Sequence, residues 1–408
     1  AYSDKEMNYL QNFLLKSAEE SLGIMTYQNQ NLLPEVHTLT AYSDKGLLKH
    51  YSLYYKKAIA NLESSTYRNQ DYYYKKFLLA NVSDEHFLKQ KVRKFDDSLQ
   101  VKSNNFDIYF LSNRLVYICN MIDRQRSISA PYQIRFVDEV ITMVEKINFA
   151  DYPAIHLYYQ LLITINNEEN DEYFPLLKEL FIKYLIYFSE NERKQLYFLI
   201  LNFTIRKIRA GNIIFVNECL ELYLKGLDEH LLFENGYLSP WTYKNIIKLG
   251  LRLERYDWSE TFAINNNGLI AEEFRTAALH YNLAEIYYYK SEFNKAWEHL
   301  NKIEFSDVHY VLGAKILLIK IYYNQQDLEP LHSLIQSFKI YLKRNELLSE
   351  QVRNSYLNFL NILSMILKFD VKHLDEIYQQ FDSSKVLVER NWLQLVLESQ
   401  AQHSLKKK

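Results

Sequence analysis

The chain has 408 residues, with 48 Lys+Arg against 50 Asp+Glu and a formal net charge of −2, so it offers no global attraction to nucleic acid or an anionic membrane. It contains only 8 Gly and 6 Pro, while 48% of its residues are hydrophobic, with 35 Tyr and 23 Phe. This excludes turn-rich all-β folds and points to helices with half-buried aromatic faces.

The opening residues AYSDKEMNYL carry no apolar run, so no signal peptide is expected. An initial Ala in place of Met leaves room for earlier residues to have been removed. Apolar stretches such as Leu196 to Leu201 are too short to span a bilayer, and a soluble chain is expected.

Helical periodicity runs almost end to end. It predicts helices over 4–20, 43–62, 69–80, 84–98, 105–124, 132–148, 153–167, 171–188, 190–210 and 212–228. Further helices are predicted over 239–255, 257–265, 271–290, 292–303, 307–325, 327–344, 349–368, 371–381 and 385–402. Ser3 with Glu6 and Ser189 with Glu192 have capping-box spacing, and Ser239 precedes a proline at a first helical position. Pro153, Pro175 and Pro330 suit first turns, where a missing N–H has no intrahelical partner to lose. The segment 21–42, with Pro34 and several Asn and Gln, reads as an irregular connection. The polar stretch Ser98 to Asn105 reads as a boundary. It divides an N-terminal helical region, 1–104, from helix pairs over 105–405 joined by short turns, which implies antiparallel neighbours.

A 35-residue echo defines the class. Leu283, Ala284, Tyr287, Ala296 and Leu300 recur as Leu318, Ile319, Tyr322, Leu331 and Ile335. A fixed period of this size marks stacked helical repeats, and His280-x-x-Leu283-Ala284-x-x-Tyr287 followed by Ala296 and Leu300 resembles the tetratricopeptide pattern. Phe293 packs at the turn. The next repeat begins Lys315-x-x-Leu318-Ile319-x-x-Tyr322 and keeps the spacing without the small residues. Upstream, Asp257-Trp258 lies 35 before Glu292-Phe293, with Leu249, Gly250 and Leu253 one residue out of register. Downstream, Asp370 lies 43 after Asp327, and Val308 stands where the motif carries its closing Pro.

Beyond the repeat, Tyr310-Val-Leu-Gly-Ala-Lys315, Tyr322-Tyr323, Ser337-Phe338, Tyr341-Leu342, Arg344-Asn345 and Tyr356-Leu-Asn-Phe359 resemble an uncharacterised bacterial family of tetratricopeptide-like proteins. Lys49-His50-Tyr51, Tyr54-Tyr55-Lys56-Lys57 and Glu389-Arg390-Asn391-Trp392-Leu393 are similar to it as well. The resemblance implies a tetratricopeptide-like fold in a cytoplasmic setting and carries no catalytic residues. The expected fold is therefore all-α: a right-handed α-solenoid of degenerate tetratricopeptide-like helix pairs.

No phosphate-cradling glycine motif and no H-E-x-x-H occurs. Cys119 and Cys219 stand far apart in apolar surroundings, the pattern of buried free thiols in a reducing compartment. Asp228-Glu229-His230 holds three donor side chains, but adjacent helical residues point apart, so no metal site is expected. Glu168-Glu169 and Asp171-Glu172 lie beside a turn and suit a helix dipole. Lys89, Lys91, Arg93 and Lys94, Arg206, Lys207 and Arg209, and the end Lys406–Lys408 read as solvated basic runs.

The expected function is a non-enzymatic scaffold that binds a partner peptide or helix, with no cofactor and no metal. Its concave face would expose Tyr281, Glu285, Tyr288 and Tyr289, then Ile316, Lys320, Tyr323 and Asn324, the first-helix positions that the Leu/Ala/Tyr pattern leaves unused. One alternative is a nucleic-acid-associated repeat using Arg206, Lys207 and Arg209; another is an enzyme or sensor domain within residues 1–100.

Overall fold

The structure, a computed structural model, describes residues 3–29, 32–128, 130–303, 308–346, 348–368, 374–384 and 386–405. The calls on Asp370 and Lys406–Lys408, and on the side chain of Val308, lie outside the described residues. Among the described residues the protein is all-α. The exceptions are β1 (Phe233–Glu234) and β2 (Tyr237–Leu238), which pair antiparallel with Phe233 opposite Leu238. The chain forms two compact units, Ala1–Leu231 and Leu232–Lys408.

The first unit contains α1 (Asp4–Asn29), α2 (Leu33–Asp44), α3 (Leu48–Glu63), α4 (Gln70–Lys89), α5 (Ser98–Ile128), α6 (Val137–Glu145), α7 (Pro153–Asn166), α8 (Tyr173–Tyr184), α9 (Glu190–Arg209) and α10 (Ile214–Asp228). The capping signals act as read. Ser3 and Glu6 satisfy each other's backbone N–H groups at 2.8 and 3.4 Å, and Ser189 with Glu192 forms a full capping box. Pro153 opens α7. Helices α4, α5 and α7 pack in sequence, α7 covers α8, and α9 lies along α10. Leu115, Ile118, Leu161, Leu162, Tyr158 and Tyr197 are almost wholly buried in this core.

Three expectations shift here. The segment 21–42 is helical except around its break: α1 runs on to Asn29, and Pro34 falls in the first turn of α2, where it costs no hydrogen bond. The helix expected over 84–98 is the end of α4 followed by a loop, which stops where Asp96 caps the amide of Ser98 at 2.8 Å. Residues 104 and 105, read as a boundary, lie inside α5, whose Ile108, Leu111 and Leu115 are buried. The polar run there is the exposed face of a 31-residue helix. The units divide between Leu231 and Leu232.

The second unit contains α11 (Pro240–Arg252), α12 (Tyr256–Asn266), α13 (Glu272–Tyr289), α14 (Phe293–Leu300), α15 (Val308–Gln325), α16 (Leu328–Arg344), α17 (Glu350–Leu367), α18 (Leu374–Ser383) and α19 (Arg390–Leu405). Ser239 accepts the Trp241 amide at 3.3 Å ahead of Pro240, as the sequence predicts. Helix α13 packs against α11, α12, α14 and α15, and α17 against α16, α18 and α19.

The 35-residue echo is physical. Leu283, Ala284, Ala296 and Leu300 are buried at 0–5%, and Ile319, Leu331 and Ile335 fill the equivalent places at 0–1%. The turns echo as well. Between α11 and α12, α13 and α14, and α15 and α16, a left-handed residue stands at Glu254 (φ 57), Ser291 (φ 62) and Gln326 (φ 58). The following amide closes back five residues each time: Arg255 to Gly250 at 2.9 Å, Glu292 to Tyr287 at 2.8 Å and Asp327 to Tyr322 at 3.0 Å. This is Schellman-type closure without glycine.

Glycine serves another purpose, as a seat for rings. A methyl group on Gly226 of α10 would lie 2.5, 2.6 and 2.8 Å from Tyr197 of α9, and one on Gly313 of α15 would lie 2.8–3.0 Å from Tyr281 of α13. Gly250 of α11 receives Trp258 and Ser259 of α12 in the same way. Small residues thus set how closely these helices approach.

Candidate functional site

The residues singled out in the second unit form one connected patch on α13 and α15. Positions 285 and 320 are repeat equivalents of opposite charge, and each is partnered from another helix. Lys248 of α11 reaches Glu285 at 3.3 Å, and Lys320 reaches Glu389, in the turn before α19, at 2.6 Å. The Glu285 carboxylate holds the Lys248 ammonium above its ordinary range, and Glu389 adds to the effect. Tyr288 accepts from Asn324 at 3.2 Å, and Lys320 lies 5.9 Å from the Tyr288 ring and 5.8 Å from Trp392. The Tyr323 ring meets Trp392 edge-on at 5.4 Å, and Gln400 donates to its hydroxyl at 3.3 Å.

Two expected lining residues are packing residues. Tyr281 is 5% exposed, with its ring seated on Gly313, against Tyr310 at 5.4 Å and under the Lys244 ammonium at 4.2 Å. Burial, then the charges of Glu285 and Glu389, push its hydroxyl well above the usual tyrosine range, so it stays protonated. Ile316 is 5% exposed and belongs to the core with Leu312, Ile319 and Phe359. The repeat pattern places both on the first helix but cannot show that neighbouring helices close over them.

The remaining six stand at the surface to different degrees. Tyr289 is 47% exposed and Asn324 is exposed; Tyr288, Tyr323, Glu285 and Lys320 are half-buried. Burial raises the hydroxyl pKa of both Tyr288 and Tyr289. The partners the repeat did not reveal are Lys244, Lys248, Trp392 and Glu389. The last two were visible in the sequence only as part of the Glu389-Arg390-Asn391-Trp392 run. Their role depends on the path of the chain through α16 to α18, which no local pattern encodes.

Chemistry elsewhere is structural. Arg206 donates to Asp123 at 2.7 Å and Glu168 at 3.1 Å, and Arg126 holds Glu168 at 2.6 Å. Lys207 pairs with Asp171 at 2.5 Å and lies over Phe215. Arg206 and Lys207 therefore turn inward, with side chains only 14% and 10% exposed, and form no cationic surface for a phosphate backbone. Glu168 and Asp171, read as dipole partners, are members of this network.

Within the first unit, a cavity of about 630 Å³ is lined by Leu32, Tyr67, Asn69, Asp71, Tyr72 and Glu192, among others. Several of its polar groups serve the fold: Asn69 caps α4 and donates to Glu192 at 2.7 Å, and Asp71 pairs with Lys75. Cys119 and Cys219 are free and buried, and burial pushes the Cys219 thiol up to about 11. Asp228 ends α10, Glu229 pairs with Lys225 at 3.1 Å, and His230 sits in the turn at φ 55. Among the described residues no three metal-binding side chains converge, and no helix is long and apolar enough to cross a membrane.

No protein family model, curated protein or solved structure matches this chain.

Proposed function

We propose that the second unit is a tetratricopeptide-like, right-handed stack of helix pairs that works as a non-enzymatic interaction scaffold in the cytoplasm. In this reading a partner peptide or helix docks across α13 and α15. The observation that carries it is the cluster of Tyr288, Tyr289, Lys320, Tyr323 and Asn324, repeat-equivalent aromatic and polar side chains that converge on one face. Rigid rings with polar tips give contact area at small entropic cost. The chain's own Glu389 and Trp392 bind this face by an ion pair and an edge-on ring contact, which illustrates the chemistry a partner would use. The inward pairing of Arg206 and Lys207 disfavours the nucleic-acid reading.

A photo-crosslinking residue in place of Tyr289 tests this in the native cell. The same probe at Trp297 of α14, 45% exposed, is the control. A defined protein captured at 289 and not at 297 supports the proposal. Equal capture at both positions, or none at 289, refutes it.

A further inference from the structure

His280 of α13 and His299 of α14 face each other across the best-conserved hairpin of the repeat, with Nδ1 atoms 2.9 Å apart and ring planes inclined at 39°. At that distance both Nδ1 atoms cannot carry hydrogen, because two N–H groups would collide. Something positive must bridge two lone pairs, and the choices are one shared proton or one metal ion.

The surroundings hold this geometry in advance. Tyr287 stacks on His299 with centroids 5.3 Å apart and planes 25° apart, and its hydroxyl donates to Glu260 Oε1 at 2.6 Å. Glu260 is itself fixed by Lys290 at 2.6 Å. The Ser291 turn pins the two helices together one turn away. Orientation of an imidazole by neighbours is what makes it a competent ligand.

We propose that His280 and His299 form a two-imidazole clamp for a divalent late first-row transition ion, Cu²⁺ or Ni²⁺, with water completing the shell. The spacing selects the ion. Metal–nitrogen bonds of about 2.0–2.1 Å at a right angle put the nitrogens about 2.9 Å apart, as in square-planar or octahedral coordination; a tetrahedral ion needs about 3.3 Å. Zn²⁺, which prefers tetrahedral sites, is therefore disfavoured here. The clamp supplies two protein donors, in keeping with the absence of a described three-residue cluster. Because the donors lie on different helices, a bound ion would staple α13 to α14.

The test is titration of the full chain with buffered Cu²⁺ alone, read by electron paramagnetic resonance. One equivalent should give a tetragonal spectrum with hyperfine splitting from two imidazole nitrogens. His280→Gln and His299→Gln should each weaken binding roughly tenfold or more and leave one nitrogen. Against the chance that these variants misfold, hydrogen exchange on the wild-type chain gives a second readout: Cu²⁺ should slow exchange of the α13 and α14 amides. Wild-type binding no tighter than that of the double variant, a two-nitrogen signal that survives in it, or unchanged exchange would each overturn the proposal. A proton-bridged pair would then remain.

Discussion

Gly226 is where packing in the first unit is least forgiving. An alanine there would put a methyl group 2.5 Å from the Tyr197 hydroxyl oxygen and 2.6–2.8 Å from two ring carbons. Tyr197 is fully buried and its ring has nowhere to go. At an open helical site, Gly→Ala gains about 1 kcal/mol. Here α9 and α10 must separate, and overpacking of this kind costs about 1–3 kcal/mol on top of the forfeited gain. Gly226→Ala should therefore destabilise the unit by about 1–2 kcal/mol, seen as a fall of roughly 2–8 °C in melting temperature or an equivalent drop in urea midpoint. The Tyr197 hydroxyl is buried without a hydrogen-bond partner. Tyr197→Phe should thus be neutral or stabilising by up to about 1 kcal/mol, and should relieve part of the Gly226→Ala loss. If Gly226→Ala stabilises, or if the two substitutions add to within about 0.5 kcal/mol, the close approach does not control stability and the reasoning fails.

Two further outcomes concern charge. Asp123 takes Arg206 at 2.7 Å and Asn202 at 3.0 Å, with its side chain only 9% exposed. Asp123→Asn should cost about 3 kcal/mol in urea unfolding by stranding a buried guanidinium that Glu168 alone must hold, whereas Asp123→Leu with Arg206→Leu should cost much less. His86, stacked on Tyr51, and His156, bonded to the Tyr184 hydroxyl, both have pKa values below the ordinary 6.5, from burial and then from Lys89 and Lys183 respectively. The folded state binds fewer protons than the unfolded one, so stability should be full above pH 6.5 and decline as pH falls through it. Replacing both histidines with Asn should flatten an acid-unfolding curve of the first unit; an unchanged slope would exclude them as its cause.

Much of the fold is legible because its signals are local. Ser189, Ser239 and Pro153 each act within one helical turn, and the Leu/Ala/Tyr echo needs only a 3.6-residue period. Missed boundaries have one cause: polar residues at 98–105 mark a solvent face as readily as a linker, and only the long-range burial of Ile108 and Leu111 decides between them. Most of the candidate face is likewise readable from the repeat register. Its partners are not, since Lys248 to Glu285 and Lys320 to Glu389 join residues 37 and 69 apart through the tertiary path. Tyr281 exposes the limit of the register argument, because a helix face that looks free in one repeat is covered by Tyr310 in the next.

The turns at Glu254, Ser291 and Gln326 bear on how the chain reaches this fold. Each closes its hairpin with a hydrogen bond spanning five residues, so ordering a pair costs little loop entropy and does not wait for distant chain. Folding of the second unit could thus start at any of the three hairpins and spread outward through α13. Each turn also holds a side-chain-bearing residue in a left-handed conformation that costs about 1–2 kcal/mol compared with glycine. The chain keeps its glycines for seating rings and leaves this reserve of stability unused, three substitutions away.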